Sequence, residues 1–265
     1  MSAALLLARE SLSDAVRRRI AAAIAVLSLL SLLVVDSCTS CASGEVMVNG
    51  EARELADLAG AAGVVTYVTL GLWVVVLAGV LAADHLRETL EDGTAYLCLA
   101  RPVSRTSFAL ARLGGVLALC GITGGVLLGG TALLLSQRSE LPMGPALGAA
   151  LACAASCVTI GGLAMAASLF LPRMATVLAV VASVGVIALA NGLGAVNPEL
   201  GGWLGAVNRF GPPLASSMVL PLDPWVEAMA FNADLGALWL RLASWAVFAV
   251  LLLVFSFRRA ELAQG

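Results

Sequence analysis

Few residues in this chain are of a type that does chemistry, and they gather in three places. Cys38 and Cys41 stand at C-x-x-C spacing. Such a pair suits a local disulfide in an oxidising compartment or, second, a copper or zinc site, for which two thiols without a nearby histidine are an incomplete ligand set. His85, the single histidine, follows Asp84. One imidazole cannot build a histidine-rich metal site, and a general base would need a nucleophile and a dry pocket that nothing nearby supplies, so it reads as a surface residue. The third place is EDGTAYLCLARPVSR, residues 91–105, a compact polar stretch between two long apolar runs that holds Glu91, Asp92, Gly93, Arg101, Pro102 and Arg105. The remaining cysteines, Cys98, Cys120, Cys153 and Cys157, read as packing or idle thiols, and no metal site is assigned.

Enzyme motifs fail on inspection. DGTAYLCLAR opens like the DG-x-x-AR motif of membrane phosphotransferases, but Ala100 and Arg101 come too late and the following acids are absent. An intramembrane serine protease of the rhomboid kind would need a histidine within the membrane. The chain contains no lysine and no G-x-x-x-x-G-K-[ST] loop, so it cannot cradle and hydrolyse ATP by itself. No catalytic residue is assigned.

The elements that position these residues are set by composition. Of 265 residues, 60% are hydrophobic and only 12% charged, and the mean hydropathy is +0.99, values of a membrane protein rather than a soluble domain. Six apolar runs, 20–35, 64–83, 108–135, 145–171, 174–192 and 238–255, predict an all-α chain of six transmembrane helices. The runs are continuous rather than alternating, which argues against a barrel. Arg17, Arg18 and Arg19 precede the first run as in a signal peptide, but no small-x-small cleavage site follows and Cys38 sits in a poor lipoprotein context, so the span is expected to be retained.

All fifteen basic residues are arginine, and with both termini inside only Arg53, Arg138, Arg209 and Arg241 fall outside. The positive-inside rule therefore puts both termini and residues 84–107 in the cytoplasm. Residues 3–19, which include Arg9, pattern as an amphipathic helix with Glu10, Asp14, Arg17 and Arg18 on its polar side, suited to the inner interface. The outer loops are 36–63, with a helix-like patch GEARELADLAG, and 193–236, whose prolines break any further span while Trp203, Phe210, Trp225 and Phe231 suit the headgroup region. Gly121, Gly125 and Gly129 strip one face of span three, the pattern of close helix packing ahead of a substrate groove. The span interiors hold no ionisable group, and Arg112 and Arg241 lie near span ends where they can snorkel, so coupling to an ion gradient is not expected. Work on a substrate must be delivered from outside the chain.

Residues 84–107 are the place to receive it. Span two can run on as a helix through DHLRETLED until Asp92-Gly93 breaks it, and Thr94 can then cap a short helix, AYLCLA, closed by Pro102. The result is a stiff cytoplasmic stub. Asp84, Arg87, Glu88, Glu91 and Asp92 lie on its approach and Arg101 and Arg105 on its exit, and its leucines, Leu97 among them, need a partner surface.

An acidic stretch, then Gly-Thr, then a short apolar run ending in Pro-x-x-Arg at the entry to span three resembles the permease subunits of type-2 ABC transporters, matched by Glu91, Gly93, Thr94, Pro102 and Arg105. The amphipathic helix before span one, the six spans, Asn197-Pro198 in the last outer loop and the FRRAEL ending extend the likeness along the whole chain. It looks most like the branch that includes the permease of the nitrous-oxide reductase maturation system. One departure is Arg112, where the family often has lysine, which changes hydrogen-bonding geometry at constant charge. The resemblance implies a multi-pass protein of the bacterial inner membrane, paired with a second copy of itself and bound to two ABC ATPase subunits that carry the ATP and Mg. Residues 84–107 would be the coupling helix and 3–19 an elbow on the same partner. The function implied is export of a substrate, or transmission of ATPase-driven motion to an extracytoplasmic partner protein; the alternative is a membrane scaffold that transports nothing. The aliphatic spans suit a lipid-like cargo or none, and no nucleic-acid partner is expected.

Overall fold

The computed structural model describes residues 45–48, 51–91, 105–139, 141–197, 199–226 and 234–260, together with Val26 and Leu33; for 45–48, 51–59, 85–91, 105, 138–139, 196 and 260 it describes the backbone alone. The elbow 3–19, the Cys38–Cys41 pair, and residues 92–104 with Cys98 lie outside the described residues, as does Phe231. So does the first expected span apart from Val26 and Leu33, which are both helical.

The first described elements are two short strands, β1 (Glu45–Val48) and β2 (Glu51–Glu54), paired antiparallel with Val48 opposite Glu51. Residues 51–54 of the patch read as helix-like are thus a strand, a correction that adds a hairpin to described elements that are otherwise helices. Asn49-Gly50 stands between the two strands, and Asn-Gly is the dipeptide that two-residue hairpin turns favour. The helical part of that patch, from Leu55, is the start of α1 (Leu55–Glu91).

Four more long helices follow: α2 (Arg105–Ser139), α3 (Met143–Ala167), α4 (Arg173–Val196) and, after the loop elements below, the last. Helices α3 and α4 each begin directly after a proline, Pro142 or Pro172, with ψ of 136° or 152°. Proline lacks an amide hydrogen and disfavours helix in the residue before it, so it ends one helix and opens the next. Between α4 and the last helix lie α5 (Gly202–Phe210), α6 (Leu214–Val219) and a 3-10 turn (Leu220–Trp225); α7 (Leu235–Ala260) closes the described chain. Within α1, α2, α3, α4 and α7, the stretches Gly60–Asp84, Thr106–Gln137, Met143–Ala167, Arg173–Ala195 and Leu235–Arg259 are long and apolar enough to cross a bilayer. The chain is a multi-pass membrane protein with five such helices among its described residues.

Helix α3 is the centre of the bundle. Its buried side is almost all small: Ala146, Ala149, Ala152, Cys153, Ser156, Cys157, Gly161 and Gly162 let neighbouring backbones come close. The hydroxyls buried on α2 and α3 satisfy themselves within their own helix, Thr131 on the Leu127 carbonyl at 2.7 Å and Ser156 on that of Ala152 at 2.8 Å, as a solvent without water demands. Two glycines on α1 set its distance from the rest. A Cβ on Gly60 would lie 1.8 Å from the Trp225 carbonyl oxygen, and one on Gly79 would lie 2.5 Å from Val180 and 2.9 Å from Ile160.

Part of the loop after α4 folds into the bundle. Leu214, Met218, Leu222 and Trp225 are buried in the core. Trp225 donates its indole N–H to the Pro142 carbonyl at 2.9 Å and meets the Tyr67 ring edge-on at 5.7 Å, while the Tyr67 hydroxyl donates to the Ala146 carbonyl at 2.8 Å. Trp225 therefore leaves the expected headgroup set, because its one polar atom finds a carbonyl inside the bundle. Trp203 and Phe210 stay exposed at 63% and 71%.

Candidate functional site

The end of the bundle where α1 stops and α2 starts carries Asp84, Arg112, Arg173, Arg258 and Arg259. Helix α1 does continue past its apolar stretch, unbroken to Glu91, and α2 starts at Arg105, the arginine of the Pro-x-x-Arg sequence. The side chains of His85, Arg87, Glu88, Glu91 and Arg105 lie outside the described set, as do Asp92, Gly93, Thr94, Leu97, Arg101 and Pro102 entirely.

Asp84 is described, and its carboxylate forms an ion pair and hydrogen bond with Arg173, the first residue of α4. A cation at a helix N-terminus opposes the positive end of the helix dipole, and Asp84 offsets that penalty. The acid expected on an outward contact is thus engaged within the chain. Arg173 was legible in sequence only as one more inside arginine, although its position after Pro172 marks a helix start at the same end as Asp84.

Phe108, fully buried near the start of α2, stacks on Phe257 of α7 at 6.2 Å between centroids and 28° between planes. Arg112, one turn on, lies with its guanidinium carbon 5.4 Å from the centre of the Phe108 ring. It is only 2% exposed, so it does not snorkel to the surface as its position near a span end predicts. The ring face offers a cation a binding partner that the bilayer does not. Arg258 donates to the Thr106 hydroxyl at 3.5 Å, so the entry to α2 and the exit of α7 are tied by aromatic and polar contacts together.

Arg241 also departs from the snorkelling expectation. Its Nε donates to the Gly211 carbonyl at 2.9 Å and its Nη2 to the carbonyls of Asn208 and Gly211. The carbonyls sit at the end of α5, where a helix leaves its last acceptors open.

The glycine stripe of α2 meets no neighbour. A Cβ at Gly121, Gly125 or Gly129 would have nothing within 4 Å, so the close packing expected of this face is not made within the described chain. The three glycines instead line an apolar groove of about 680 Å³ between α1, α2 and α3, with Leu147, Leu151 and Val158 on its far wall. Tyr67 and Cys153 also border it, but both spend their polar hydrogens on backbone carbonyls, Cys153 on that of Gly71 at 3.5 Å. What the groove offers a guest is aliphatic surface. Cys120, Cys153 and Cys157 are buried free thiols, as packing residues are. Among the described residues no group of three or more His, Cys, Asp and Glu comes together as a metal site.

Neither a scan against known protein families nor a search of curated proteins finds a match to this chain.

Proposed function

We propose that the chain is the membrane-spanning permease subunit of a type-2 ABC transporter, paired with a second copy of itself and driven by two separate ATPase subunits. The observation that carries this reading is the helical framing of residues 92–104. Helix α1 runs beyond its apolar stretch, which ends at Asp84, to Glu91, and α2 opens at Arg105, so Gly93-Thr94 and Pro102-x-x-Arg105 join two rigid helices at the arginine-rich end of the bundle. In this reading that end and both termini face the cytoplasm of a bacterial inner membrane. ATP and Mg stay on the partner. Residues 92–104 seat in a cleft of the ATPase, with charge fixing the register and the leucines supplying contact area.

Closure of the ATPase pair then pushes on two continuous helices. Along α1 the displacement reaches α4 through Asp84 and Arg173 and through the close contact of Gly79 with Val180. Along α2 it reaches α7 through Phe108 and Phe257. The apolar groove suits a lipid-like cargo, and the same motions serve equally to move an extracytoplasmic partner. Co-purification of a nucleotide-hydrolysing subunit is the test. Gly93→Leu or the pair Glu91→Arg and Arg105→Glu should reduce stimulation of its ATPase by about tenfold, the effect of roughly 1.4 kcal/mol lost at an interface. Intact stimulation in those variants, or purification of the chain with no such subunit, contradicts the reading.

A further inference from the structure

We propose that α5 is an interfacial helix, seated in the phospholipid headgroup layer with Trp203 and Phe210 turned into lipid and Arg209 toward phosphate. Two independent observations carry this, one on each side of the helix.

The first is its outward arc. At 100° per residue, Trp203, Ala206 and Phe210 share one side of α5 with Arg209 at its edge, and all four are exposed, whereas Leu204, Gly205, Val207 and Asn208 are partly buried on the other. Indole, phenyl and guanidinium are the groups that belong where hydrocarbon gives way to headgroups.

The second is the accounting of its last carbonyls. In water, the open carbonyls at a helix C-terminus need no protein partner. Here the carbonyls of Asn208, Phe210 and Gly211 each receive a donor from α7, the indole of Trp245 binding Phe210 at 3.1 Å and Arg241 binding the other two. Arg241 lies six residues into α7, about 9 Å along its axis from Leu235. Its neighbour Leu240 is 74% exposed. The end of α5 is therefore fastened beside the apolar, exposed side of a spanning helix, which fixes where it lies along α7. The Asn208 side chain is held as well, accepting from the Asn191 amide at 3.1 Å, while the Asn191 side-chain oxygen accepts from the Ala215 N–H at 3.2 Å. These links fix which side of α5 faces out, and the outward aromatics continue the lipid-facing surface of α7 rather than starting a separate patch.

The experiment uses the whole purified chain in phospholipid vesicles free of other proteins, so its outcome does not depend on the ATPase reading. Tryptophan fluorescence of the native chain is compared with that of Trp203→Phe, a conservative change at an exposed position. The part of the signal lost in the variant is the Trp203 contribution. It should be quenched about twofold more by lipid brominated near the headgroup than by lipid brominated near the chain end, and little by aqueous iodide, as for an indole in the interface. Strong iodide quenching with no lipid quenching would place the face in water, ready for an extracytoplasmic protein, and would overturn the proposal. Protection from all three quenchers would mean that a second copy covers it, and would overturn it equally.

Discussion

The two ends of the bundle are held in different ways. At the end of the long loop, side-chain donors reach backbone carbonyls: Trp225 to Pro142, Tyr67 to Ala146, Trp245 to Phe210 and Arg241 to Gly211. At the arginine-rich end, the links that cross between elements include two of side chain to side chain, Asp84 with Arg173 and Arg258 with Thr106, around the Phe108–Phe257 stack. A donor fixed on a backbone carbonyl cannot move without moving the chain. Two long side chains can part and meet again. The Asp84–Arg173 pair, with side chains 31% and 68% exposed, is screened by solvent and is worth at most about 1 kcal/mol. Under the proposed function, the loop end is the fixed frame and the arginine-rich end is where displacement enters.

Substitutions that break the fixed frame should have the largest effect. Trp225→Ala removes a buried ring, its contact with Tyr67 and its hydrogen bond, and should cost about 3–5 kcal/mol in detergent unfolding measurements. Gly60→Ala drives a methyl group into the Trp225 carbonyl and should cost about 1–3 kcal/mol in the same assay, with backbone movement the only relief.

At the other end the stability cost shrinks while the functional cost need not. Asp84→Asn should lower stability by at most about 1 kcal/mol yet reduce ATPase stimulation in the assembled complex. The exchanged pair Asp84→Arg with Arg173→Asp should recover part of that stimulation. If Asp84→Asn leaves stimulation unchanged, the α1 to α4 path is not used.

The smallest effect belongs to the open face. Gly125→Ala meets nothing and improves helix propensity, so it should be neutral or stabilise by up to about 1 kcal/mol. A clear loss of stability there would show that the glycine face is covered in the assembled protein, sharpening the contrast between packed and unpacked sides of α2.

The spanning helices from the second to the sixth were legible because the signal is local. Runs expected at 64–83, 108–135, 145–171, 174–192 and 238–255 correspond to apolar stretches of α1, α2, α3, α4 and α7, and the helical continuation through His85 to Glu91 was legible for the same reason. What escaped depends on distant partners. Nothing near Asp84 names Arg173, and nothing near Trp225 names Tyr67 or Pro142, so a loop rich in proline and tryptophan reads as surface until the carbonyl that receives its indole is known. Arg112 and Arg241 were placed by their distance from span ends, which says how far a side chain could reach and not what it meets. The glycine stripe was visible as a pattern, but a face without side chains is equally a seam or a groove until its neighbours are known. The Asn49-Gly50 hairpin signal was local and readable, and lay hidden beside a helix-forming patch.

The most direct test places a photo-crosslinking residue at position 97 in the native membrane, with a second variant carrying it at position 203. The account predicts an adduct between position 97 and a nucleotide-hydrolysing protein that position 203 does not give. No such adduct from position 97, or the same adduct from position 203, would contradict it.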